Sequence, residues 1–418
     1  MSDLTRGLQP IEQCRSCGSG DLSVFLSLGD LPLSDGLLSV EQLAGNEPRY
    51  PLDVAFCGNC SLVQIMHTVP PEELFGADYP YLSSFTDAVV DNAAQNVAAR
   101  LRERELGSSN LVVELASNDG YLLQHYAAAG VPVLGIDPAP AAAAAARARG
   151  VETIEDFFGR DLAERLAASG RRADIVHANN VLAHVADTNG FVGGIAALLK
   201  PDGVAVVEVP YVRDLIDRVE YDTIYHQHLC YFSVTAVDRL FRNHGLCLNR
   251  VERLPIHGGS LRLFAERVDR PDAAVRKLIE TERAEGVTEF AYYRDFSRRV
   301  LGLRDRLREL VGELKAEGAT IAGYGAAAKG TILLNHVGLG PEVIDFVVDR
   351  NTFKQGKWVP GVRLPILPPS AILERRPDFV MILPWNFKDE IIAQQADYAK
   401  GGGRFIVPVP EPMLVGTA

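Results

Sequence analysis

Residues 111–120 read Leu-Val-Val-Glu-Leu-Ala-Ser-Asn-Asp-Gly, and the apolar run Tyr-Leu-Leu follows them. The apolar first half predicts a buried strand, the small and polar second half a tight turn, and the run after Gly120 the start of a helix. A second apolar run, residues 133–136, ends in Asp137, where an acidic side chain suits the hydroxyls of a ribose. The stretch therefore predicts an α/β unit with a ligand site that includes Glu114 and Asp137.

The ligand predicted for this unit is S-adenosylmethionine. Ala116 and Asn118 stand where the dinucleotide fingerprint G-x-G-x-x-G would have glycines, and Glu114 would repel a pyrophosphate. S-adenosylmethionine has no phosphate and carries a sulfonium and an ammonium group, so two carboxylates suit it. The alternative is an ordinary strand, turn and helix without a ligand.

Strand and helix patterns alternate over residues 111–209, which predicts a doubly wound sheet that binds ligands outside the carboxyl ends of its strands. His184 lies just beyond the fourth strand, and this placement favours a functional role over a structural one. Other residues at these strand ends, or in the hydroxyl-rich loop of residues 75–84, are expected at the cofactor site: Asp156, Phe157, Asn179, Asn180, Tyr81 and Ser84.

Length and composition limit the class of protein. A chain of 418 residues with 47% hydrophobic residues has room for two or three domains. A net charge of −12 argues against a general binder of nucleic acid or anionic membranes. Because no apolar run reaches the roughly 18 residues of a membrane span and the N-terminus has no apolar signal core, we expect a cytoplasmic protein.

Four of the six cysteines form two C-x-x-C pairs, Cys14 with Cys17 and Cys57 with Cys60. Two such turns can complete a tetrahedral four-thiolate site, which leaves no open position for catalysis by the metal. We therefore predict structural Zn²⁺. The alternative is a set of reduced thiols or redox pairs, and a nucleic-acid zinc ribbon is disfavoured because few Lys or Arg residues surround the pairs.

Residues 220–232 hold the densest group of chemically active side chains, with the run Tyr225-His226-Gln227-His228 at its centre. The loop follows the fifth strand and can reach the same rim as His184. Histidine can act as a base near neutral pH, and a tyrosine hydroxyl can donate to a developing oxyanion. We favour catalysis over a metal site, because H-x-H without nearby Cys or acidic ligands is weak evidence for a metal.

Two further segments have the residues of phosphate sites. In residues 257–262, two glycines expose backbone donors, and Ser260 and Arg262 offer a hydroxyl and a charge; a plain hairpin is the alternative. In residues 320–330, a strand leads into Gly-x-Gly and Lys329, and the next strand ends in Asp349. The residues expected to bind substrate are His257, Gly259, Ser260, Arg262, Tyr324, Lys329, Asn351 and Lys354.

The order of these motifs resembles that of the bacterial sugar C-methyltransferases, which act on thymidine diphosphate (TDP)-linked 4-keto-deoxysugars during the synthesis of antibiotic sugars. The resemblance covers nearly the whole chain. It implies a zinc-binding domain over residues 1–73, a class I S-adenosylmethionine-binding domain over residues 74–270, and a second Rossmann-like domain over residues 271–418 that helps to bind the nucleotide sugar. We expect a monomer.

The resemblance also implies roles in catalysis. His228 is the expected base that removes the proton from carbon 3 of the sugar, with Tyr225, His184 and Tyr79 around the substrate. The family loop usually reads Tyr-His-Glu-His, whereas here the third position is Gln227. The amide cannot titrate, so Gln227 is expected to orient by hydrogen bonding.

Two other classes remain open at this point. An NAD-dependent nucleotide-sugar oxidoreductase would use residues 320–350, with Asp349 on the ribose, but it leaves Glu114, Asp137 and the histidine loop unexplained. A non-catalytic zinc-containing binding protein is the other. The sequence leaves open the substituent at carbon 3 and the choice between methylation at carbon 3 and carbon 5.

Overall fold

The computed structural model describes residues 8–74, 82–85 and 87–416, without the side chains of residues 71, 72 and 257. Tyr79 and Tyr81, both predicted at the site, lie outside these ranges. None of the helices in the described ranges combines the length and apolarity needed to cross a membrane.

The first domain is built from antiparallel strands, and its two cysteine turns lie in the connections between them. Two hydrogen-bonded sets of strands lie here, with orders β1-β5 and β11-β4-β3-β2, and β11 comes from the segment after the histidine loop. The elements are β1 (Gln9–Pro10), β2 (Leu22–Leu31), β3 (Tyr50–Cys57), β4 (Val63–Ile65), β5 (His67–Thr68) and α1 (Pro71–Leu74).

The central domain is a mostly parallel sheet with strand order β12-β13-β10-β9-β6-β7-β8, in which β12 and β13 are antiparallel at one edge. Its strands are β6 (Val112–Leu115), β7 (Val133–Ile136), β8 (Thr153–Ile154), β9 (Ala173–Asn179), β10 (Leu199–Pro210), β12 (Cys247–Leu254) and β13 (Ser260–Glu266), while β11 (Cys230–Tyr231) joins the first domain. Its helices are α2 (Asp87–Arg104), α3 (Leu123–Ala128), α4 (Pro140–Ala148), α5 (Arg160–Ala168), α6 (Thr188–Leu198), α7 (Val212–Asp217) and α8 (Val234–Arg242).

Residues 273–316 form the helices that join the central domain to the last. They are α9 (Ala273–Ala284), α10 (Phe290–Tyr293) and α11 (Phe296–Ala316). The charged pattern of this segment predicts a solvated connector, but α11 also buries an apolar stripe with helical spacing: Phe296, Val300, Leu303, Leu307, Val311 and Leu314. Tyr293 packs on Phe25 and Phe56 of the first domain, so the connector is part of the core.

The last domain is a second α/β unit with strand order β16-β15-β14-β17-β18-β19, parallel except for β19. Its elements are β14 (Ile321–Tyr324), α12 (Ala328–Val337), β15 (Val347–Val348), β16 (Ile366–Leu367), α13 (Ser370–Arg375), β17 (Phe379–Ile382), α14 (Lys388–Gln394), α15 (Ala396–Lys400), β18 (Arg404–Val407) and β19 (Met413–Val415). The predicted α/β fold with a zinc-type first domain and two sheet-based units is confirmed.

Candidate active site

The four cysteines predicted to bind zinc converge. Their Sγ atoms all lie within 4.8 Å of one another, with Cys14 Sγ 3.5 Å from Cys60 Sγ and Cys17 Sγ 3.6 Å from Cys57 Sγ. Tetrahedral zinc with Zn–S bonds of about 2.3 Å needs sulfur atoms about 3.8 Å apart, so this cluster fits the ion. All four positions of a tetrahedron are taken, which makes the site structural.

The turn after β6 adopts the backbone that a glycine fingerprint would adopt. Ala116 has φ 53° and Asn118 has φ 48°, in the left-handed region that disfavours side chains. The backbone N–H of Asn118 donates to Asp137 Oδ2 at 2.8 Å, and the side chain of Asn118 accepts from the Ser83 N–H. Strain of this kind persists where the surroundings enforce it, and it is common at ligand sites.

Glu114 is the most unusual acid of this turn. It is buried, and neither carboxyl oxygen has a hydrogen-bond partner among the described residues. Burial, followed by the negative charges of Asp137, Asp119 and Glu208, raises the pKa of Glu114 well above its ordinary value. A cationic ligand would supply the missing partner, so the site fits the sulfonium and ammonium groups of S-adenosylmethionine and does not fit a pyrophosphate.

The other residues predicted at the cofactor site are spread along the same edge of the sheet. Asn179, at the end of β9, is buried, and its Oδ1 has no hydrogen-bond partner in the part of the chain that the structure describes. Asn180 has φ 53° and donates its N–H to the Glu208 carbonyl. Ser84 accepts from Arg149. Asp156 and Phe157 lie exposed after β8, so their place at the cofactor site stays a prediction.

The histidine loop forms an ordered hydrogen-bond chain. His228 Nδ1 lies 2.8 Å from the Thr223 carbonyl oxygen, which can only accept, so Nδ1 carries the proton. His228 Nε2 is therefore an acceptor, and the Tyr225 hydroxyl donates to it at 2.8 Å. The Tyr225 ring stacks on His228 with centroids 3.9 Å apart, and the His184 ring centre is 4.7 Å away. The loop thus presents an imidazole in the tautomer of a base, next to two hydrogen-bonding rings.

His184 is poised to donate rather than to carry charge. Burial lowers its pKa to about 4, although contacts with the backbone of Gln227 and Asn180 oppose the shift. A neutral imidazole keeps one N–H, for which the backbone of Gln227 and Asn180 competes, so donation from His184 to a developing oxyanion stays a prediction. By contrast, His226 Nε2 lies 3.2 Å from the Tyr50 carbonyl oxygen, so this side chain is directed into the first domain.

Gln227 reveals two site residues that the sequence analysis missed. It is buried, accepts from Ser34 Oγ at 3.0 Å, and has its Nε2 3.3 Å from Asp35 Oδ2. The Ser34 carbonyl accepts from Thr331 of α12. The loop of residues 32–36 thus ties the histidine loop to both outer domains, a link that residues some 190 positions apart could not reveal in sequence.

The phosphate site predicted around Arg262 is corrected by the structure. Arg262 is buried and donates through Nε to Glu208 Oε1 at 2.7 Å, and its other nitrogens reach Glu252 and Asn92. Ser260 donates to the Ile256 carbonyl. Gly259 has φ 135°, and a side chain there would collide with Asp214, so this glycine serves the turn. His257 has no described side chain. The interpretation as a tight hairpin accounts for the segment, and these partners leave Arg262 no charge to offer a phosphate.

Lys329, also predicted to contact a phosphate, has protein partners in the structure. Its ammonium donates to Asn386 Oδ1 at 2.8 Å and lies 4.5 Å from the centre of the Trp385 ring. Asp222 and Glu220 are close enough to affect its pKa, which burial lowers and the two carboxylates hold up. A pyrophosphate placed there would meet two acids for one lysine.

The turn after β14 nevertheless repeats the hydrogen-bond pattern of the cofactor turn. Ala326 N–H donates to Asp349 Oδ2 and Asn351 N–H to Asp349 Oδ1, both at 2.8 Å, as Asn118 and Ala139 do to Asp137. Lys354 Nζ donates to the Ala326 carbonyl at 2.8 Å. Tyr324 is buried and donates to Gln394. Asn351 and Lys354 thus lie at the tip of a second ligand-type turn, while the Tyr324 hydroxyl faces a helix.

Comparison with known proteins places the chain in a family. A family model described as a C-methyltransferase C-terminal domain matches residues 255–410, and models described as a zinc binding domain and a methyltransferase domain match residues 14–75 and 90–250. The C-methyltransferase NovU of Streptomyces niveus is 39% identical over 420 residues, or 99% of each chain. The chain belongs to the C-methyltransferase family.

Other proteins share parts of this C-methyltransferase. The ubiquinone biosynthesis O-methyltransferase of Azorhizobium caulinodans is 30% identical over 97 residues, which is 23% of this chain and 38% of that protein. Magnesium protoporphyrin IX methyltransferase from Synechocystis PCC 6803, solved with bound S-adenosylmethionine, is 16% identical over 43% of this chain and 79% of its own, with a TM-score of 0.33. The predicted S-adenosylmethionine-dependent C-methyltransferase and its structural zinc are confirmed.

Proposed function

We propose that this C-methyltransferase transfers a methyl group to carbon 3 of a TDP-linked 4-keto-deoxysugar. The observation that carries the proposal is the chain from the Thr223 carbonyl through His228 to the Tyr225 hydroxyl, with the His184 ring beside it. Methylation at carbon needs a carbanion, and a carbon next to a ketone becomes acidic because its anion is an enolate. A neutral imidazole acceptor flanked by hydrogen-bond donors suits that demand.

The residues divide the work as follows. His228 Nε2 removes the proton from carbon 3, and Tyr225 and His184 donate to the oxygen on carbon 4, where the negative charge gathers. In the structure Tyr225 donates to Nε2, so its hydroxyl must turn to the ketone oxygen as the substrate enters, which releases the Nε2 lone pair. Bound S-adenosylmethionine supplies an electrophilic methyl group, which Glu114 and Asp137 would hold in line with the enolate carbon.

Support for a nucleotide-linked sugar comes from the last domain. Its Asp349 turn repeats the Asp137 turn, and Asn351 and Lys354 lie at its tip, so we expect a nucleoside diphosphate to bind there. Family membership sets aside the oxidoreductase as the overall activity. Methylation at carbon 5 is the alternative within the same chemistry.

Replacing Asp137 and Asp349 separately by alanine tests whether the first turn binds S-adenosylmethionine and the second binds the nucleotide. Asp137→Ala should weaken S-adenosylmethionine binding about 10- to 100-fold, because hydrogen bonds to a charged group contribute roughly 1.5–3 kcal/mol. Asp349→Ala should leave that affinity unchanged and weaken the binding of TDP. Titration calorimetry of both variants with TDP, NAD and S-adenosylmethionine measures this. Loss of S-adenosylmethionine binding in Asp349→Ala, or its retention in Asp137→Ala, would contradict the assignment, and tight binding of NAD in place of TDP would favour a dinucleotide in the second unit.

A further inference from the structure

The segment just before the histidine loop is held by the last domain. Residues 221–223 form a single 3₁₀ turn, and all three are buried. Tyr221 Oη lies 3.3 Å from His336 Nδ1 of α12, and the rings pack with centroids 5.0 Å apart. Asp222 accepts from the indole N–H of Trp385 at 2.7 Å. Side chains of the last domain, His336 and Trp385, therefore contact this turn on two sides.

Asp222 links the last domain to His228, the proposed base. Its fully buried carboxylate accepts from the Trp385 indole, and Asp222 directly precedes Thr223 in the same turn. The carbonyl of Thr223 is the group that accepts from His228 Nδ1. Two hydrogen bonds, joined by the backbone from Asp222 to Thr223, therefore connect Trp385 with the imidazole.

The charges around Asp222 stabilise its hydrogen bond to Trp385. Burial raises the pKa of Asp222 to about 6, whereas the Lys329 ammonium and the Trp385 hydrogen bond lower it. Trp385 in turn packs under the same ammonium. A buried carboxylate costs stability unless it is paired, and here both partners come from the last domain. This also gives Lys329 a role in the glycine-rich turn that does not depend on a phosphate.

We propose that Trp385 and Asp222 are positioning residues for His228, through which the docked last domain fixes the orientation of the base. The inference rests on the proposed role of His228. Without the indole bond the turn loses its anchor, so the Thr223 carbonyl no longer fixes the imidazole in the tautomer that leaves Nε2 as the acceptor. Substrate and cofactor contacts are not part of this path, so ligand affinity is expected to survive its loss.

The test compares Trp385→Phe with Trp358→Phe. Trp358 also belongs to the last domain and lies against the first, but both of its described hydrogen bonds join its backbone to the backbone of Leu38. The readout is deuterium exchange at the carbon beside the ketone, measured as a function of TDP-sugar concentration. Trp385→Phe should lower the rate at saturation about tenfold with KM within twofold, whereas Trp358→Phe should change neither.

A spectroscopic measurement and a double variant separate positioning from general damage. With ¹⁵N-labelled histidine, the His228 ring signals, assigned from their absence in His228→Asn, should move in Trp385→Phe toward the average of two tautomers. Asp222→Ala combined with Trp385→Phe should be no slower than the slower single variant, because both changes break one bond. Equal behaviour of the two Trp→Phe variants, or a loss confined to KM, would overturn the inference. Exchange that persists in His228→Asn would instead overturn the proposed base itself.

Discussion

His228→Asn is expected to abolish exchange of the carbon 3 proton in deuterated water while S-adenosylmethionine and TDP remain bound. Removing a general base lowers a rate by about 10²- to 10⁴-fold. The Thr223 carbonyl fixes Nδ1 as the protonated nitrogen, so Nε2 is the ring atom able to accept. Asparagine can keep a hydrogen bond to Thr223 but has no nitrogen lone pair of comparable basicity. Because exchange needs no methyl donor, the assay reports deprotonation alone.

His226→Asn is the matched control for this variant. It is the same substitution two residues earlier in the loop, but its ring faces the Tyr50 carbonyl and packs on the Tyr50 ring. We expect a milder loss, through the fit of the first domain. If His228→Asn exchanges deuterium at the rate of the unaltered protein, another group is the base, and Tyr225, which shares a hydrogen bond with His228, is the first alternative.

Loss of one zinc ligand is the second change for which we expect a large effect, and the effect is on folding. Cys57→Ser should lower the yield of soluble protein and the melting temperature by roughly 10 °C or more, because a structural zinc contributes many kcal/mol to the fold of a small domain. Cys57 ends β3 and Cys60 precedes β4. If the turn between them no longer binds the metal, the two strands lose the link that holds them in place. The rate of exchange per folded molecule should change less than the yield.

Cys247→Ser is the control for the zinc ligand, since Cys247 lies at the start of β12 and outside the cluster. It should leave the melting temperature and metal content unchanged. Metal analysis of the unaltered protein should give about one zinc per chain. A soluble, metal-free Cys57→Ser protein with an unchanged melting temperature would show that the cysteines do not hold a structural ion.

The sheet and the cofactor turn were predictable because their signals are local. Apolar runs of strand length alternate with helix patterns, and Glu114 and Asp137 stand close to strand ends in the sequence itself. The one surprise in the turn is that Ala116 and Asn118 adopt the backbone reserved in most proteins for glycine. Residue type argued against that conformation, and only the surrounding packing and the bond from Asn118 to Asp137 enforce it.

The phosphate predictions for Arg262 and Lys329 missed protein partners that lie far away in the sequence. Arg262 and Lys329 each follow glycines in a turn, which is the local pattern of an anion site. Glu208, which pairs with Arg262, lies 54 positions earlier in the sequence. Asp222, whose charge raises the pKa of Lys329, lies more than 100 positions earlier. Local sequence shows a charge but not its partner, and a paired cation is not available to a ligand. The same limit hid the contact of Ser34 with Gln227.

The residues predicted to be catalytic lie between these two cases, because the sequence indicated their location but not their hydrogen bonds. The sequence analysis placed His184, Tyr225 and His228 at one rim of the sheet. In the structure, the ring centres of His184 and Tyr225 lie within 4.7 Å of the ring centre of His228. Their order along the hydrogen-bond chain depends on the Thr223 carbonyl, a backbone group that residue types do not reveal.

Transfer of a ¹³C-labelled methyl group tests the central claim most directly. The unaltered protein is incubated with methyl-¹³C S-adenosylmethionine and a TDP-linked 4-keto-deoxysugar, and the product is examined by carbon NMR. The proposed function predicts a labelled methyl carbon bonded to ring carbon 3, with a chemical shift typical of carbon attached to carbon. A labelled methoxy signal, or no transfer to the sugar while S-adenosylmethionine remains bound, would contradict it.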